Sequence, residues 1–417
     1  MKEGRQSSLI FILPKYLLSP LALQRLTPRK RKRHARYTTR NAVRLLHGGT
    51  EFFAHLKELI DGARLSIHLQ TYIFNNDSTG TGVADALKAA ALRGVSVYLL
   101  VDGYASRDLP GAFIESLEEA GVNFRFFQPL FKSDQFYFGR RLHHKVIVFD
   151  HHTALVSGTN IADRYNDLPG QSAWLDMALR VEGEAVVELY NICCKLWNKD
   201  VSRANRLPLR KEAIAGELPE GPCTVRVLQN DWVRRKLQVW RAYNRAFRTA
   251  HQTITIMCSY FLPGDILRRR LSKAAKQGVK VRVVLAGISD VPISKHAERY
   301  LYRWMLRHHI EIYEYQPTVL HAKVSAVDGD WLTVGSYNIN DISTFASVEL
   351  NLEVRDSALA LQAQKEIDHI IGQHCVHIDP RTYPIRLFSF RQFKQWLSYF
   401  LIRVILTVFT FYFRQEE

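Results

Sequence analysis

Two hydrophobic periodicities alternate along residues 52–103, and together they predict the order helix, strand, helix, strand. The stretches FFAHLKELIDGA (52–63) and GVADALKAAALRG (82–94) have the apolar spacing of amphipathic helices. The stretches LSIHLQTYIF (65–74) and VSVYLLVDG (95–103) are short and rich in β-branched and aromatic residues, as is typical of strands. Gly94 stands where the second helix should end.

The same order of elements returns in the second part of the chain. The predicted helices there are LQVWRAYNRAFRTA (237–250) and ILRRRLSKAAKQG (266–278), and the strands are TITIMCSYF (253–261) and VKVRVVLAG (279–287). Gly94 and Gly278 are 278 − 94 = 184 positions apart. This period is far longer than the roughly 20–50 residues of solenoid repeats, so it indicates a duplicated domain. Alternating strands and helices predict an α/β fold in which each half has a mixed or largely parallel β-sheet flanked by helices.

The domain organisation follows from this duplication. A chain of 417 residues is long enough for two domains. The segment 202–223 is rich in Pro, Gly and charge and has no apolar periodicity, so it is the predicted boundary. The predicted parts are an N-terminal arm (1–43), a first half (44–205), a second half (222–385) and a C-terminal tail (386–417).

The overall charge narrows the choice of partners. Lys and Arg number 57 against 40 Asp and Glu, which gives a net charge of +17. Such a balance predicts an anionic partner, whether nucleic acid, an anionic membrane surface or a phosphate substrate. The five cysteines form no C-x-x-C pair, which supports neither a zinc site nor a disulfide framework. They indicate a reduced, cytosol-facing location.

Both ends of the chain carry apolar segments. SLIFILPKYLLSPLAL (8–23) is interrupted by Pro and Lys and precedes the basic cluster RKRKRHAR (29–36), unlike a signal peptide. WLSYFLIRVILTVFTFYF (396–413) contains one charge, Arg403. As a helix it would extend about 27 Å, just short of a hydrocarbon core of about 30 Å. A helix that is apolar all round needs a large protein core or lipid around it, so we expect the tail to contact a membrane, either across the bilayer or along its surface.

Two near-identical octapeptides carry the candidate chemistry. HHKVIVFD (143–150) and HAKVSAVD (321–328) both read H-x-K-x-x-x-x-D, and their histidines are 321 − 143 = 178 positions apart. Because side chains alternate along a strand, His143 and Lys145 lie on the same face and Asp150 on the opposite one, which favours a structural role for the aspartate. A lysine supplies a point charge for a phosphate oxygen, and a histidine can attack or transfer a proton near neutral pH.

A small-residue turn follows each octapeptide. SGTN (157–160) and GSYN (335–338) place Asn160 and Asn338 each 17 positions after the histidine of their half. A turn of this kind lets backbone and amide donors approach an anion closely. A lone H-x-K pair is more often structural, but two complete copies in duplicated halves indicate an active site.

These residues resemble the paired H-x-K-x(4)-D-x(6)-G-x-x-N signature of the phospholipase D superfamily. The matching residues are His143, Lys145, Asp150 and Gly158 in the first copy and His321, Lys323, Asp328 and Gly335 in the second. The resemblance implies an active site at the interface of the two halves. It also implies an acidic residue after each motif that hydrogen-bonds the histidine, for which the matches are Asp176 in the first half and Glu349 in the second. By the same resemblance the predicted catalytic residues are those of the two motifs, His143, Lys145, Asp150, His321, Lys323 and Asp328. The predicted phosphate-binding residues are Asn160, Asn338 and Ser336, and the two lysines would also hold phosphate oxygens.

The mechanism that this resemblance implies is a two-step displacement at phosphorus without a metal or a cofactor. One histidine forms a phosphohistidine, while the other protonates the leaving alcohol and then activates the incoming hydroxyl. By analogy with the family, His143 is the nucleophile and His321 the acid. The two copies are similar enough that the reverse assignment stays open.

Residues 44–385 are similar to bacterial cardiolipin synthases of the shorter type, notably in RGVSVYLLVDGYAS (93–106), ALVSGTNIADRY (154–165) and SYFLPG (259–264). The similarity implies phosphatidyl transfer from phosphatidylglycerol to the hydroxyl of a second phosphatidylglycerol, with release of glycerol. It also implies an anionic phospholipid membrane as partner, on the cytoplasmic side of a bacterial inner membrane, with peripheral or tail-anchored attachment. Gln70 departs from relatives, which often carry Glu there.

Other functions remain as alternatives at this point. A phospholipase D-type hydrolase or a headgroup-exchange enzyme would share every site residue and differ only in its acceptor. A nuclease would suit the basic charge, but no nucleic-acid-binding module is recognisable, so no specific nucleic acid is expected. A catalytically silent membrane scaffold would have no need of either histidine. Self-association into a homo-oligomer is left open.

Overall fold

The computed structural model describes residues 35–129, 140–199, 201–212, 223–379, 381, 383 and 390–412. The predicted apolar segment 8–23 and all but the last two residues of the basic cluster 29–36 lie outside the described residues. The same holds for residues 213–222 of the predicted boundary and for 386–389 and 413–417 of the predicted tail. The four-part division of the chain therefore stays a prediction.

The described part of the first half contains eight strands and four helices, in the order β1, α1, β2, α2, β3, α3, β4 to β8, α4. The strands are β1 (Asn41–His47), β2 (Ser66–Thr71), β3 (Ser96–Asp102), β4 (Asn123–Phe127), β5 (Arg141–Leu142), β6 (Lys145–Phe149), β7 (Thr153–Ser157) and β8 (Met177–Gly183). The helices are α1 (Thr50–Gly62), α2 (Ser78–Leu92), α3 (Gly111–Glu119) and α4 (Glu184–Trp197).

The second half repeats this arrangement and adds elements at its end. Its strands are β9 (Thr224–Asp231), β10 (Lys236–Leu237), β11 (Thr253–Cys258), β12 (Lys280–Ile288), β13 (Glu311–Val319), β14 (Lys323–Val327), β15 (Trp331–Gly335), β16 (Ser347–Arg355) and β17 (Cys375–His377). Its helices are α5 (Gln238–Thr249), α6 (Asp265–Lys276), α7 (Pro292–Arg307), α8 (Asp341–Phe345), α9 (Ser357–His374) and α10 (Phe390–Tyr412).

Each half is built on one mixed sheet. The first sheet has the order β1-β8-β7-β6-β2-β3-β4, and the second has the order β10-β9-β16-β15-β14-β11-β12-β13-β17, with β5 of the first half paired to β16. Neighbours in β2-β3-β4 and in β11-β12-β13 are parallel, as are β5 and β16, and the remaining pairs are antiparallel. The predicted α/β fold with two duplicated halves and mixed sheets is confirmed.

The register of the sheets repeats as faithfully as the motifs do. Strand β2 pairs Ile67 with Phe149, and strand β11 pairs Ile254 with Val327, which lies 178 residues after Phe149. The two glycines that predicted the ends of the second helix in each half, Gly94 and Gly278, both have φ of +90°. This left-handed conformation is the one in which glycine ends a helix without strain.

The two sheets share a central core. One cluster of buried side chains contains Val146 and Val156 from the first sheet together with Val324 and Val334 from the second. Separate clusters fill the outer face of each sheet, against α1 and α2 in the first half and against α5 and α6 in the second. Burial of apolar surface from both halves in one core explains why they form a single body.

Helix α10 packs along α7, with the ring of Tyr399 4.9 Å from that of Tyr300. Among the described residues, no helix combines the length and the apolarity that crossing a bilayer requires.

Candidate active site

Each histidine motif is held at its start by the backbone of the other half. The backbone N–H groups of His143 and of the residue after it both donate to the carbonyl of Val348, over 3.1 and 3.0 Å. The N–H groups of His321 and its successor donate in the same way to Leu175, over 2.8 and 3.0 Å. The residues that follow these two carbonyl groups are Glu349 and Asp176, so the same backbone contact brings a carboxylate to each imidazole.

The carboxylates therefore pair across the two halves. Glu349 Oε2 lies 2.9 Å from His143 Nδ1, and Asp176 Oδ2 lies 2.8 Å from His321 Nδ1. The resemblance predicts one acidic residue after each motif, and the structure pairs each one with the histidine of the opposite motif. A carboxylate only accepts hydrogen bonds, so each Nδ1 carries the proton and each Nε2 keeps its lone pair for attack or proton transfer.

The two motif lysines are both buried, and the charge of Lys323 acts on Lys145. Lys145 Nζ donates to the carbonyl of His143, and Lys323 Nζ donates to that of His321. Burial lowers the pKa of Lys145 to about 7, and repulsion from Lys323 contributes next. Burial also lowers the pKa of Lys323. Two cations in one desolvated site are stabilised by an anion between them, which suits a phosphodiester.

The two lysines also affect the pKa of both histidines. Burial lowers the pKa of His143, Glu349 opposes this, and both Lys145 and Lys323 act in the same direction as burial. Burial lowers the pKa of His321 to about 3, followed by the charge of Lys323, with Asp176 opposing. Each imidazole thus senses lysines of both halves, as expected if the two motifs form one site.

The motif aspartates are not brought into this site. The carboxylate of Asp150 accepts the backbone N–H groups of residues 64–66, and that of Asp328 accepts those of residues 251–253. Each stands one residue beyond its strand, at the end opposite the lysine. Their carboxylates hold the chain that enters β2 or β11, in keeping with the structural role that strand alternation favours, and their inclusion among the catalytic residues stays a prediction.

The predicted phosphate-binding amides and hydroxyl make hydrogen bonds within the protein. Asn160 accepts from the N–H of Ile73 and donates to the hydroxyl of Tyr165. Asn338 accepts from the N–H of Tyr260 over 3.3 Å, which is the equivalent bond in the second half. The hydroxyl of Ser336 donates to Glu349. Binding of phosphate by these three side chains stays a prediction.

The turns after the two motifs support the carboxylates differently. Position 158 in the first half is equivalent to 336 in the second, since 336 − 158 = 178. A Cβ at Gly158 would lie 2.7 Å from both carboxylate oxygens of Asp176, so only glycine leaves room there. Ser336 instead hydrogen-bonds its carboxylate, and Ser347 adds a second hydroxyl 2.7 Å from Glu349 Oε1.

Three aromatic side chains of the first half surround the histidines, and the sequence patterns did not single them out. The ring of Tyr72 lies 5.0 Å from that of His143, and those of Tyr165 and Trp174 lie 5.0 and 6.0 Å from that of His321. Lys145 Nζ is 5.3 Å from the Tyr72 ring. Tyr165 belongs to a stretch quoted for the family resemblance, but nothing in its spacing indicates contact with the second motif.

Two further side chains, which the sequence did not indicate, fix the backbone that leads to His143. The buried carboxylate of Asp102 accepts the N–H of Leu142 over 2.7 Å. Arg140 forms a buried ion pair with Asp231 of the second half, 2.8 Å apart. Both contacts fix the backbone just before the first motif, and the ion pair also joins the two halves.

Gln70 lies behind the first motif. Its side-chain carbonyl lies 2.9 Å from His144 Nε2, and its amide donates to the carbonyl of Cys193. Within the described part of the chain, no group of three or more His, Cys, Asp and Glu side chains is arranged to hold a metal ion.

Comparisons with known proteins agree with this geometry. The family described as cardiolipin synthase, PLD-like domain, matches residues 56–191 and 243–371 of the chain, one segment in each half. Cardiolipin synthase B of Salmonella typhimurium strain LT2 is 32% identical over 352 residues, which cover 83% of this chain and 84% of that protein. Cardiolipin synthase B of Escherichia coli strain K12 is 31% identical over 350 residues, with the same coverage of both chains.

A solved structure shares the fold. The crystal structure of phosphatidylserine synthase from Haemophilus influenzae Rd KW20 superposes with a TM-score of 0.70 and covers 89% of this chain and 96% of that one. The two sequences are 17% identical, so this likeness concerns the fold.

Proposed function

Because the chain belongs to the cardiolipin synthase family with the PLD-like domain and is a phosphatidyltransferase, we propose that it makes cardiolipin from two molecules of phosphatidylglycerol. In this reaction the phosphatidyl group of one molecule moves to a headgroup hydroxyl of the other, and glycerol is released. The relatives named cardiolipin synthase support this choice among phosphatidyl transfers.

One observation supports the proposed mechanism. Each of the two imidazoles is hydrogen-bonded to a carboxylate of the opposite half. Each Nδ1 is bonded to a carboxylate, so each Nε2 is oriented for chemistry. Transfer through a covalent intermediate needs two such groups, one to attack phosphorus and one to move a proton.

The proposed first step breaks the bond between phosphorus and the glycerol oxygen. His143 Nε2 attacks phosphorus, and the departing oxygen takes the proton from His321 Nε2. The products are free glycerol and a phosphatidyl group bonded to His143. In the second step the hydroxyl of another phosphatidylglycerol gives its proton to His321 and attacks phosphorus, which releases His143 and forms cardiolipin.

Charge supports this sequence of steps. The phosphodiester anion between Lys145 and Lys323 compensates two buried cations. Together with Asp176, it favours the protonated form of His321 once substrate is bound. The greater exposure of the His143 side chain, 19% against 7% for His321, suits the nucleophile, which must reach phosphorus itself.

The alternative is a hydrolase in which water replaces the second lipid. The same residues would act, and the product would be phosphatidic acid. The experiment that separates the two uses purified protein, phosphatidylglycerol as the only lipid, and EDTA throughout. Cardiolipin with an equal amount of glycerol supports the proposal, and phosphatidic acid in its place contradicts it.

The same assay tests the proposed absence of a metal from the reaction, since EDTA removes divalent cations and activity should persist. A His143→Ala variant prepared in parallel is the matched control for contaminating activity. We further propose an anionic phospholipid membrane as the site of action, on the cytoplasmic side of a bacterial inner membrane. The basic net charge and the need to reach lipid substrates support this location.

A further inference from the structure

Helix α10 is packed with its polar side toward the protein. Gln395 and Ser398 are only 5% and 7% exposed. Arg403 lies 3.4 Å from Asp341 and 3.9 Å from Asp265, which belong to α8 and α6. A surface helix normally buries its apolar stripe and exposes its polar side, so this helix is turned the opposite way.

The outward side of the helix is a continuous apolar surface, which we call the α10 stripe. Each member lies three residues or one residue after the one before it, so alternate members are four residues apart, and all are 36–55% exposed. They are Phe393, Trp396, Leu397, Phe400, Leu401, Val404 and Ile405. The rings of Trp396 and Phe400 are stacked, with centroids 5.6 Å apart.

Helix α10 is linked through Arg403 to the helix that follows the turn after the second motif. Arg403 ties α10 to α8, the helix that follows the turn containing Asn338, and Ile342 of α8 is 48% exposed. Across that turn, Asn338 bonds the backbone of Tyr260, whose hydroxyl donates to Asp290 over 2.7 Å. Three apolar side chains within three residues of Asp290 along the chain are exposed. They are Ile288, Val291 and Ile293, at 51%, 38% and 42% exposure.

We propose that the α10 stripe and the exposed side chains of Ile288, Val291, Ile293 and Ile342, which we call the apolar rim, form one surface that lies in the plane of an anionic bilayer and presents the active-site entrance to it. The proposal rests on the proposed function, because a lipid headgroup can enter the site while its acyl chains stay in the membrane. Rim and stripe then contact the same leaflet from which the substrate comes.

The chemistry of α10 favours a bilayer over a protein partner. Its 23 residues include no Asp or Glu, and Lys394 is exposed beside the stripe. Aromatic rings beside apolar and basic side chains are typical of helices at the membrane interface. The stripe offers on the order of 600 Å² of apolar surface, which is large for an exposed patch on a monomer.

The test compares two leucines of similar exposure on different helices. Leu401 of α10 is 41% exposed, and Leu361 of α9, outside the surface, is 49% exposed. Each is replaced by Asp in the full chain, and binding is measured by sedimentation with vesicles of equal parts phosphatidylglycerol and phosphatidylcholine. Leu401→Asp should weaken vesicle binding at least about tenfold, and Leu361→Asp should bind as the unmodified protein does.

Turnover separates docking from catalysis. With phosphatidylglycerol dispersed in detergent, both variants should stay within about twofold of the unmodified protein, which also reports that they are folded. With vesicles, the turnover of Leu401→Asp should fall in step with binding. Phe393→Ser, at a site 55% exposed, is a second variant in case the first loses its fold.

Equal vesicle binding by the two Asp variants would overturn the proposal. So would light scattering that finds a dimer separated by Leu401→Asp while vesicle binding is retained, since the stripe would then join two copies of the chain. If the unmodified protein makes no cardiolipin but its vesicle binding is lost in Leu401→Asp alone, the proposed function fails and the docking surface stands.

Discussion

His143 and His321 each bond a carboxylate of the opposite half, but their surroundings differ. The His143 side chain is 19% exposed and that of His321 is 7% exposed. Burial is the largest influence on the pKa of both. At His143 the next largest is Glu349, which raises the pKa, whereas at His321 it is Lys323, which lowers the pKa further, to about 3.

This difference shows how a duplicated chain can assign two roles to one motif. A double displacement needs one neutral and one protonated imidazole at the same time. Exposure favours attack by His143, but the charge of Lys323, which ranks above that of Asp176 at His321, favours the neutral, attacking form of His321. The two properties point to opposite assignments, so an experiment on the intermediate has to separate them.

Removal of either histidine should have the largest effect. His143→Ala and His321→Ala should each reduce cardiolipin formation at least about 10³-fold, because one loses the nucleophile and the other the proton transfer. Mass analysis of lipids from detergent-dispersed phosphatidylglycerol measures this, and circular dichroism checks the fold. Activity within tenfold of the unmodified protein in either variant would remove that histidine from the mechanism.

The same variants decide which histidine attacks. With phosphatidylglycerol labelled in its phosphate, rapid denaturation should recover label on the protein when His321 is replaced and no label when His143 is replaced. The converse result would reverse the two roles while keeping the two-step mechanism.

Loss of one carboxylate should have the next largest effect. Glu349→Gln and Asp176→Asn should each lower turnover about 10²-fold, because the amide no longer holds its imidazole in the required tautomer. Cross-half pairing adds a sharper expectation for imidazole nitrogen chemical shifts. Glu349→Gln should perturb His143 and Asp176→Asn should perturb His321. A change confined to the histidine of the same half would contradict the pairing in the structure.

The turn that supports each carboxylate provides a smaller test of the comparison. Gly158→Ala should lower turnover about tenfold or more, because its Cβ would lie 2.7 Å from both Asp176 oxygens. At the equivalent position, Ser336→Ala removes one hydrogen bond to Glu349 and leaves that of Ser347, so the loss should be only a few-fold. Equal losses in the two variants would mean that the two turns support their carboxylates alike.

Much of the fold could be predicted because the sequence states it twice. The repeated order of helices and strands, the glycines at 94 and 278, and the two octapeptides each predicted the duplicated α/β halves. The helices and strands of each half are indicated by local hydrophobic periodicity, which can be read from a single sequence.

The pairing inside the site could not be predicted in the same way. His143 and Glu349 are 206 residues apart, and His321 and Asp176 are 145 apart. Which acid meets which histidine depends on how β16 and residue 175 dock on the opposite half, and no periodicity reports that. The contact of Tyr165 with His321 depends on the same docking.

The orientation of the C-terminal helix α10 could not be predicted from the sequence either. Its apolar run predicted membrane contact, but the run contains Ser398 and Arg403, whose burial against the protein depends on α6, α7 and α8. Which apolar residues of the tail face outward therefore depends on the packing of its polar side against these helices, and the sequence alone does not indicate it.

The smallest predicted effect concerns a pair of positions behind the motifs. His144 and Gln70 in the first half are equivalent to Ala322 and Met257 in the second, as the matching registers of β2 with β6 and β11 with β14 require. His144 is buried, its Nδ1 has no hydrogen-bond partner among the described residues, and burial lowers its pKa to about 3. The first half therefore keeps a polar pair where the second half has an apolar one.

Exchange of that pair should change how stability depends on pH. The folded pKa of His144 lies below the unfolded value of about 6.5, so the unfolded chain binds the extra proton between these two values. Its contribution to stability is complete above pH 6.5 and is lost as the pH falls toward 3, by up to about 1.4 kcal/mol per pH unit. In the double variant His144→Ala, Gln70→Met, denaturant unfolding between about pH 6 and pH 4 should show a slope shallower by up to that amount. His68 and His321 still act in the same direction, so some dependence should remain. An unchanged slope would mean that His144 takes up its proton without unfolding, and that the polar pair is a tolerated difference between the halves with no consequence for stability.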